Sequence, residues 1–333
     1  MKNKICLVLP YYGPFHAYFN LFLHSVGRNK DFFDLLLVTD HPVPDLPSNV
    51  YNKIYSVDEV GKRITAAIKD WFSVDVATPF PEGKMSNGRP ALYKLCDYKF
   101  LYGDVFAEEL QSYPYWGFVD CDLIFGDASK FLQDFEQYDF IGNRGHLCFL
   151  KKGDKAKNIL LDVSNWPNHP NYMPSRLKEA KESIPKTRDQ HLLDEGWFQC
   201  TLKMYAGLYP DKFKYFYTAY SGIVADTYHP GAENKLYFDK LQARFEFPEK
   251  LPNGVAQTTF KNFEEQYFAY LDGRVFRKSF ANAYDSCEHL YVHLIGRTSY
   301  ASNNVGFKDY DSKLNFTIKP ILTFDKIEED YEI

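Results

Sequence analysis

The sequence predicts an α/β protein with a doubly wound, Rossmann-like mixed sheet, because of two stretches. Near the start, an aliphatic run at residues 5–9 is followed by helical periodicity at residues 16–26 and a second aliphatic run at residues 35–38. This strand–helix–strand order is how a doubly wound sheet begins. Later, residues 116–127 read WGFVDCDLIFGD, an apolar run that ends in acidic residues. In such sheets a strand of this kind ends at a ligand-binding crevice.

Asp120 and Asp122 are the acidic pair that ends this run, one residue apart. If the chain turns there, both carboxylates can reach one divalent cation, and the cation can neutralise a diphosphate. A capping or turn role is the alternative. Apolar residues flank the pair on both sides, where unpaired carboxylates would be costly, so metal-assisted chemistry on a nucleotide diphosphate is favoured. The first strand lacks G-x-G-x-x-G, which disfavours an NAD or FAD site.

Composition excludes several classes of protein. The 333 residues suffice for one large α/β domain or two small ones, and 45% hydrophobic with 25% charged residues is ordinary for a globular protein. A net charge of −5, a pI near 6.0 and the lack of a basic stripe argue against nucleic acid as a partner. The aromatic content of 18% fits a stacking cleft and an AT-rich genome equally well.

The predicted location is the cytoplasm. The six cysteines are scattered and form no C-x-x-C pair, which indicates reduced thiols. The first apolar run is too short for a signal peptide before Pro10 interrupts it. No window approaches the roughly 18 continuous apolar residues that a membrane span needs. Peripheral contact with the inner face of the cell membrane stays open.

Several further residues are candidates, each with an ordinary alternative. Asp40 ends the second aliphatic run and could bind a base or ribose, or cap the next turn. Lys94 and Asp97, in a helix predicted at residues 90–100, could contact a nucleotide or form a surface ion pair.

The later part of the chain offers an acid pair and a histidine. Asp194 and Glu195, in a helix predicted at residues 188–203, could supply a catalytic base or be solvated. His293 lies in an alternating strand predicted at residues 287–295, with Arg297 after it. They could complete a metal shell and meet a phosphate, or His293 could be hydrogen-bonded within the sheet.

Other elements are predicted from periodicity and turn signals. A third strand is expected at residues 53–57, a helix to residue 71, a loop at residues 73–88, and paired strands at residues 139–142 and 147–150.

Four stretches together resemble a known family. They are Leu9-Pro10-Tyr11-Tyr12-Gly13, Tyr93-Lys94-Leu95-Cys96-Asp97-Tyr98-Lys99, residues 116–127 and Glu288-His289-Leu290-Tyr291-Val292-His293. The chain resembles glycosyltransferases of the GT-A type, and more closely a family of bacterial polysaccharide-cluster glycosyltransferases. Some members of that family are assigned as galactofuranosyltransferases. The resemblance covers most of residues 1–150 and the region 285–300.

The resemblance implies roles for particular residues. Mn²⁺ or Mg²⁺ on the donor diphosphate would be bound by Asp120, Asp122 and His293. The nucleoside would be surrounded by Tyr11, Asp40, Lys94 and Asp97. Arg297 would meet a phosphate, and Asp194 or Glu195 would be the base, which a retaining enzyme would not need.

The resemblance also implies a division of roles within one GT-A domain. Residues 1–150 would be the half that binds the nucleotide sugar and carries Asp-x-Asp. Residues 151–300 would be the acceptor-binding and catalytic half, with a C-terminal acceptor-side extension, and residues 301–333 would be a C-terminal tail. The expected activity is transfer from a UDP-sugar, with UDP-galactofuranose a candidate, to a glycan or lipid-linked glycan in capsule or other surface polysaccharide synthesis. A nucleotidyltransferase using the same acids and a non-catalytic glycan-binding protein are the alternatives.

Overall fold

The structure is a computed structural model. It describes residues 5–16, 19–81, 83, 90–143, 145–167, 172–184, 192–217, 224–226, 267–271, 273–278, 284–293, 316–318 and 324–326.

Helices and strands are numbered in chain order. The strands are β1 (Ile5–Pro10), β2 (Phe33–Thr39), β3 (Val50–Ile54), β4 (Tyr115–Val119), β5 (Leu123–Phe125), β6 (Phe140–Asn143), β7 (Leu147–Lys151), β8 (Tyr215–Tyr217), β9 (Val224–Asp226), β10 (Tyr267–Leu271), β11 (Arg274–Lys278), β12 (Tyr284–His289), β13 (Tyr291–His293), β14 (Phe316–Ile318) and β15 (Phe324–Lys326). The α-helices are α1 (Phe19–Arg28), α2 (Val57–Phe72), α3 (Tyr102–Val105), α4 (Ala128–Phe131), α5 (Lys155–Leu161), α6 (Tyr172–Ser183) and α7 (Cys200–Leu208). The 3₁₀ helices are Ala91–Leu101, Phe135–Gln137 and Val163–Asn165, and a π-helix spans Leu192–Gln199.

The chain forms two compact units, each built from separate segments. The first unit comprises Met1–Pro14, Lys30–Cys121 and Leu132–Tyr217. The second unit comprises Phe15–Asn29, Asp122–Phe131 and Thr218–Ile333. The predicted boundary at residue 150 concerns donor and acceptor roles, and it stays a prediction.

The first unit is built on a mixed sheet. In the described part of the chain this sheet has seven strands in the order β3-β2-β1-β4-β7-β6-β8. Strands β1 to β4 are parallel, β7 is antiparallel to both of its neighbours, and β8 is parallel to β6. The α/β class with a mixed sheet is therefore confirmed, and the topology is compatible with a Rossmann-like fold.

The strand order contains a switch point between β1 and β4. Along the chain, β2 and β3 add to one side of β1, whereas β4 adds to the other side. In open α/β sheets, ligands bind outside the carboxyl ends of the strands at such a point. The segments that follow β1 and β4 are therefore where a ligand site is expected.

Helix α2 shows how local sequence sets the element boundaries. Ser56 and Glu59 form a capping box: the Ser56 amide donates to Glu59 Oε2 at 2.7 Å, and the Glu59 amide donates to Ser56 Oγ at 3.2 Å. The box starts α2 at Val57, so β3 lies three residues earlier than the predicted strand at 53–57. Val60 and Ile64 lie on the buried face of the helix.

The second unit contains two further sheets. Among the described residues, one has the order β5-β13-β9 and the other β12-β11-β10-β14-β15. The single alternating strand predicted at residues 287–295 is wrong, because β12 and β13 belong to different sheets. Leu290 separates them, and its carbonyl oxygen accepts the Gly126 amide at 2.8 Å. Leu290 and Tyr291 are both fully buried, so the alternation that the sequence indicates breaks at this point.

No described helix combines the length and the apolar character that crossing a bilayer requires.

Strands β4, β7 and β6 pack closely around Cys148. A Cβ added at Gly117 in β4 would lie 2.0 Å from the Cys148 carbonyl oxygen. A Cβ added at Gly142 in β6 would lie 2.4 Å from Cys148 Sγ. The absence of side chains at both glycines is therefore a requirement of the sheet.

Gly117→Ala is expected to lower the free energy of unfolding by about 2–3 kcal/mol or more, since the added methyl group meets backbone that cannot move aside easily. Urea denaturation measures the change. Gly207→Ala is the matched control. Gly207 lies on the exposed end of α7 with no atom within 4 Å of the added Cβ, so that variant should gain up to about 1 kcal/mol from helix propensity. A Gly117→Ala protein of wild-type stability would contradict the close approach.

A buried hydrogen bond ties the segment before β4 to β2. The Tyr113 hydroxyl donates to Asp34 Oδ2 at 2.6 Å, and both residues are buried. Burial, followed by the hydrogen bond to the Asp34 carboxylate, raises the pKa of Tyr113, so the phenol stays a neutral donor.

Tyr113→Phe should therefore cost about 1–3 kcal/mol of stability, because the buried carboxylate loses a donor. Tyr51→Phe serves as the control: Tyr51 is 45% exposed, and its variant should stay within about 0.5 kcal/mol of wild type. Equal stabilities of the two variants would show that the buried bond contributes nothing. Both values come from equilibrium unfolding in urea.

Candidate functional site

The acidic pair lies directly after β4, beside the switch point. Asp120 follows the last residue of β4, and Asp122 precedes the first residue of β5. The boundary between the two units falls between Cys121 and Asp122. Asp120 therefore belongs to the first unit and Asp122 to the second.

In the first unit, Asp120 is paired with a buried lysine. Lys99 Nζ donates to Asp120 Oδ1 at 2.7 Å and to the Gly145 carbonyl oxygen at 2.8 Å. The Asp120 amide donates to the His146 carbonyl oxygen at 2.8 Å. The ammonium also lies 5.6 Å from the centre of the Phe118 ring. Asp120 is thus fixed through both its side chain and its backbone.

The 3₁₀ helix Ala91–Leu101 carries three charged residues inward. It replaces the helix predicted at residues 90–100. Lys94 and Asp97 form an ion pair, and both side chains are at most 3% exposed. In a 3₁₀ helix, residues three apart stand one above the other, which brings these two together. The predicted ion pair therefore forms, but it is buried and does not lie on the surface. Contact of these two residues with a nucleotide stays a prediction.

The two tyrosines after β1 differ in environment. The Tyr11 hydroxyl donates to the Pro14 carbonyl oxygen at 3.1 Å, at the exposed side of the turn. The Tyr12 hydroxyl is buried and has no hydrogen-bond partner among the described residues. Burial, with smaller contributions from Asp40 and Glu59, raises the pKa of Tyr12. Sequence analysis singled out Tyr11, but Tyr12 is the residue that offers a buried donor at the switch point.

Asp40 directly follows β2, at the same edge of the sheet. Its carboxylate lies 2.6 Å from His41 Nδ1, and about half of each side chain is exposed. The Thr39 hydroxyl donates to the His41 carbonyl oxygen at 2.5 Å, so the turn is ordered locally. The predicted place of Asp40 is correct, and its contact with a nucleoside stays a prediction.

In the second unit, β13 pairs with β5, the strand that begins directly after Asp122. The backbone of His293 in β13 is in register with Leu123, the residue after Asp122. The Asp122 residue is 2% exposed. On its other side, His293 is in register with Asp226 of β9, an acid that sequence analysis did not single out. Arg297 lies outside the described residues.

The other acid pair lies on the π-helix. Asp194 and Glu195 belong to Leu192–Gln199, and α7 continues from it, in place of the single helix predicted at residues 188–203. Trp197 packs its ring 5.4 Å from that of Phe100, and Phe198 lies 5.7 Å from the same ring. Because Phe100 belongs to the 3₁₀ helix, the π-helix is anchored on the element that carries Lys94, Asp97 and Lys99. The π-helix has eight residues, which is longer than the single-turn π-bulges that are common inside α-helices.

The donor chemistry of the acidic pair fits a hard divalent cation. In the part of the chain that the structure describes, no group of three or more His, Cys, Asp or Glu side chains forms a cage. Mg²⁺ is usually bound by one or two carboxylates together with water and substrate phosphates rather than by such a cage. Asp120 and Asp122 each supply carboxylate oxygens, the kind of ligand that such a cation binds.

Comparison with known proteins assigns the chain to a family. The model of DUF6625, described as a family of unknown function, matches residues 7–322. The chain belongs to DUF6625. No curated protein and no solved structure matches it. The DUF6625 match spans every predicted site residue, from Tyr11 to Arg297, so the candidate site lies wholly within the family region.

In this DUF6625 chain, Asn29 clamps the segment that follows Asp122. Asn29 Nδ2 donates to the Gly126 and Ser25 carbonyl oxygens, each at 2.9 Å. Its Oδ1 accepts the Ala128 amide at 2.8 Å. Asn29 is 5% exposed and follows the end of α1, so one side chain joins that helix to both sides of Asp127.

Asn29→Asp should lower the free energy of unfolding by about 2–3 kcal/mol, since a carboxylate oxygen would replace the amide donor and face two carbonyl oxygens. Hydrogen exchange of the Ala128 amide should become faster, because the segment is held less firmly. Asn165→Asp is the control, since Asn165 makes one exposed bond to the Asn158 carbonyl oxygen. Equal losses in the two variants would refute the clamp.

Proposed function

We propose that this chain is a metal-dependent glycosyltransferase of the GT-A type. Its donor would be a UDP-hexose such as UDP-galactofuranose, and its acceptor a glycan or lipid-linked glycan of a surface polysaccharide such as a capsule. We expect it to act in the cytoplasm, with peripheral contact at the inner face of the cell membrane where the acceptor is lipid-linked.

The observation that carries the proposal is the position of the acidic pair. Asp120 and Asp122 follow β4 at the switch point of a doubly wound sheet, where such sheets bind ligands. The β5–β13 register brings the backbone of His293 beside that of Leu123, the residue after Asp122. The buried hydroxyl of Tyr12 supports a polar ligand near the end of β1.

The chain's own residues would divide the work of binding and transfer. Asp120, Asp122 and His293 would hold Mn²⁺ or Mg²⁺, which when bound neutralises charge on the diphosphate. Tyr11, Asp40, Lys94 and Asp97 would orient the nucleoside, and Arg297 would meet a phosphate. Exclusion of water from such a site strengthens each of these electrostatic contacts.

Transfer makes one bond and breaks another. The acceptor hydroxyl oxygen bonds to the anomeric carbon, and the bond from that carbon to the diphosphate oxygen breaks, with its electron pair leaving on UDP. In an inverting enzyme, Asp194 or Glu195 would take the proton of the acceptor hydroxyl. The anchoring of their π-helix on Phe100 supports this assignment, because a general base must be held in place.

Asp122→Asn should abolish sugar transfer and the metal-dependent binding of UDP, since the amide loses the charge that attracts the cation while keeping the shape of the side chain. Calorimetric titration of UDP with Mn²⁺, and then with EDTA, measures the binding. Screening of UDP-sugars by product formation measures turnover.

The matched control is Asp127→Asn, five residues along the same segment. Asp127 Oδ1 accepts from the Ser129 amide and hydroxyl, a local turn, so this variant should bind UDP as the wild type does. Full activity in Asp122→Asn would overturn the metal assignment. Wild-type protein that binds a glycan but no UDP would favour the glycan-binding alternative, and pyrophosphate release from a nucleoside triphosphate would favour the nucleotidyltransferase.

A further inference from the structure

Lys99 and the turn after β6 hold Asp120 from two directions. The ammonium bridges Asp120 Oδ1 and the Gly145 carbonyl oxygen, at 2.7 and 2.8 Å. The neighbouring carbonyl, that of His146, accepts the Asp120 amide. Gly145 has a φ of +78°, a left-handed conformation that favours glycine. The carboxylate, the ammonium and the turn are therefore connected by hydrogen bonds.

The pairing changes the charge that a cation would meet. The side chain of Lys99 is 8% exposed and that of Asp120 is 19% exposed, so water screens their interaction only weakly. With Lys99 charged, the Lys99–Asp120 pair carries no net charge, whereas Asp120 alone would carry one negative charge. Cation affinity rises with the number of charged ligands, so the pairing should weaken binding of a cation that arrives alone.

We infer that Lys99 is a positioning residue that withholds Asp120 from the cation, and this inference rests on the proposed function. Lys99 competes with the cation for the same carboxylate oxygen. Binding of the cation is then weak until a diphosphate supplies further oxygens. Cation and nucleotide therefore enter the site together, and the metal alone does not fill it.

The test is the affinity for Mn²⁺ alone, measured by electron paramagnetic resonance of the free ion. Lys99→Met should bind Mn²⁺ about tenfold more tightly than the wild type, because the Asp120 carboxylate is released as a charged ligand. UDP should then raise the Mn²⁺ affinity by a smaller factor than in the wild type. A merely structural role for Lys99 would weaken Mn²⁺ binding, so the direction of the change separates the two.

Two further variants isolate the pair. In the double variant that combines Lys99→Met with Asp120→Asn, the affinity for Mn²⁺ should return to within about threefold of the wild-type affinity. The gain in Mn²⁺ affinity depends on the released carboxylate, which the double variant lacks. Lys155→Met is the charge-matched control. Lys155 forms an ion pair with Asp139, also at 2.7 Å, just before β6 at the opposite edge of the sheet, and its loss should leave Mn²⁺ affinity unchanged.

The outcomes separate this inference from the proposed function. Wild-type protein that binds no Mn²⁺ even with UDP overturns both. Metal-dependent UDP binding with unchanged Mn²⁺ affinity in Lys99→Met overturns only the role of Lys99. If Lys99→Met loses its cooperative thermal transition, the variant Asp120→Asn decides by itself. A change of less than about threefold in its Mn²⁺ affinity supports the inference, and a tenfold loss of that affinity refutes it.

Discussion

The packing of β4 between β1 and β7 is the constraint on which the first unit depends. Gly117 carries no side chain, so the Cys148 carbonyl oxygen can lie within 2.0 Å of where a Cβ would be. On the other side, β4 is parallel to β1 with Phe118 in register with Val8. The pairing of β4 with β1 and β7 sets where β4 ends, and therefore where Asp120 lies. The acid at the switch point is positioned by the sheet itself, before any ligand contributes.

The 3₁₀ helix Ala91–Leu101 supplies the lysine of two ion pairs, one on either side of Tyr98. Lys94 is paired with Asp97, and Lys99 with Asp120. Buried ion pairs add little net stability compared with apolar side chains of similar size, because desolvation opposes their attraction. What such pairs contribute is positional order, because each charged side chain is held by its partner. An electrostatic site with fixed charges needs little reorganisation when a charged ligand binds.

Local patterns predicted much of the fold, and contacts between distant segments account for the rest. The opening strands, the pairing of β6 with β7 and the acids after β4 follow from runs of apolar residues and turn signals. No local pattern links Lys99 with Asp120, or Asn29 with Gly126, since these pairs are 21 and 97 residues apart. The break at Leu290 depends likewise on a hydrogen bond from Gly126.

The π-helix that carries Asp194 and Glu195 makes this part of the chain sensitive to length. A π turn holds more residues than an α turn, so it behaves as an insertion within a helix. Deleting one residue between Glu195 and Trp197 would remove the extra residue of a π turn and let the segment return to α-helical hydrogen bonding. The length of the segment between the acid pair and the aromatic anchor therefore sets the helix type that connects them.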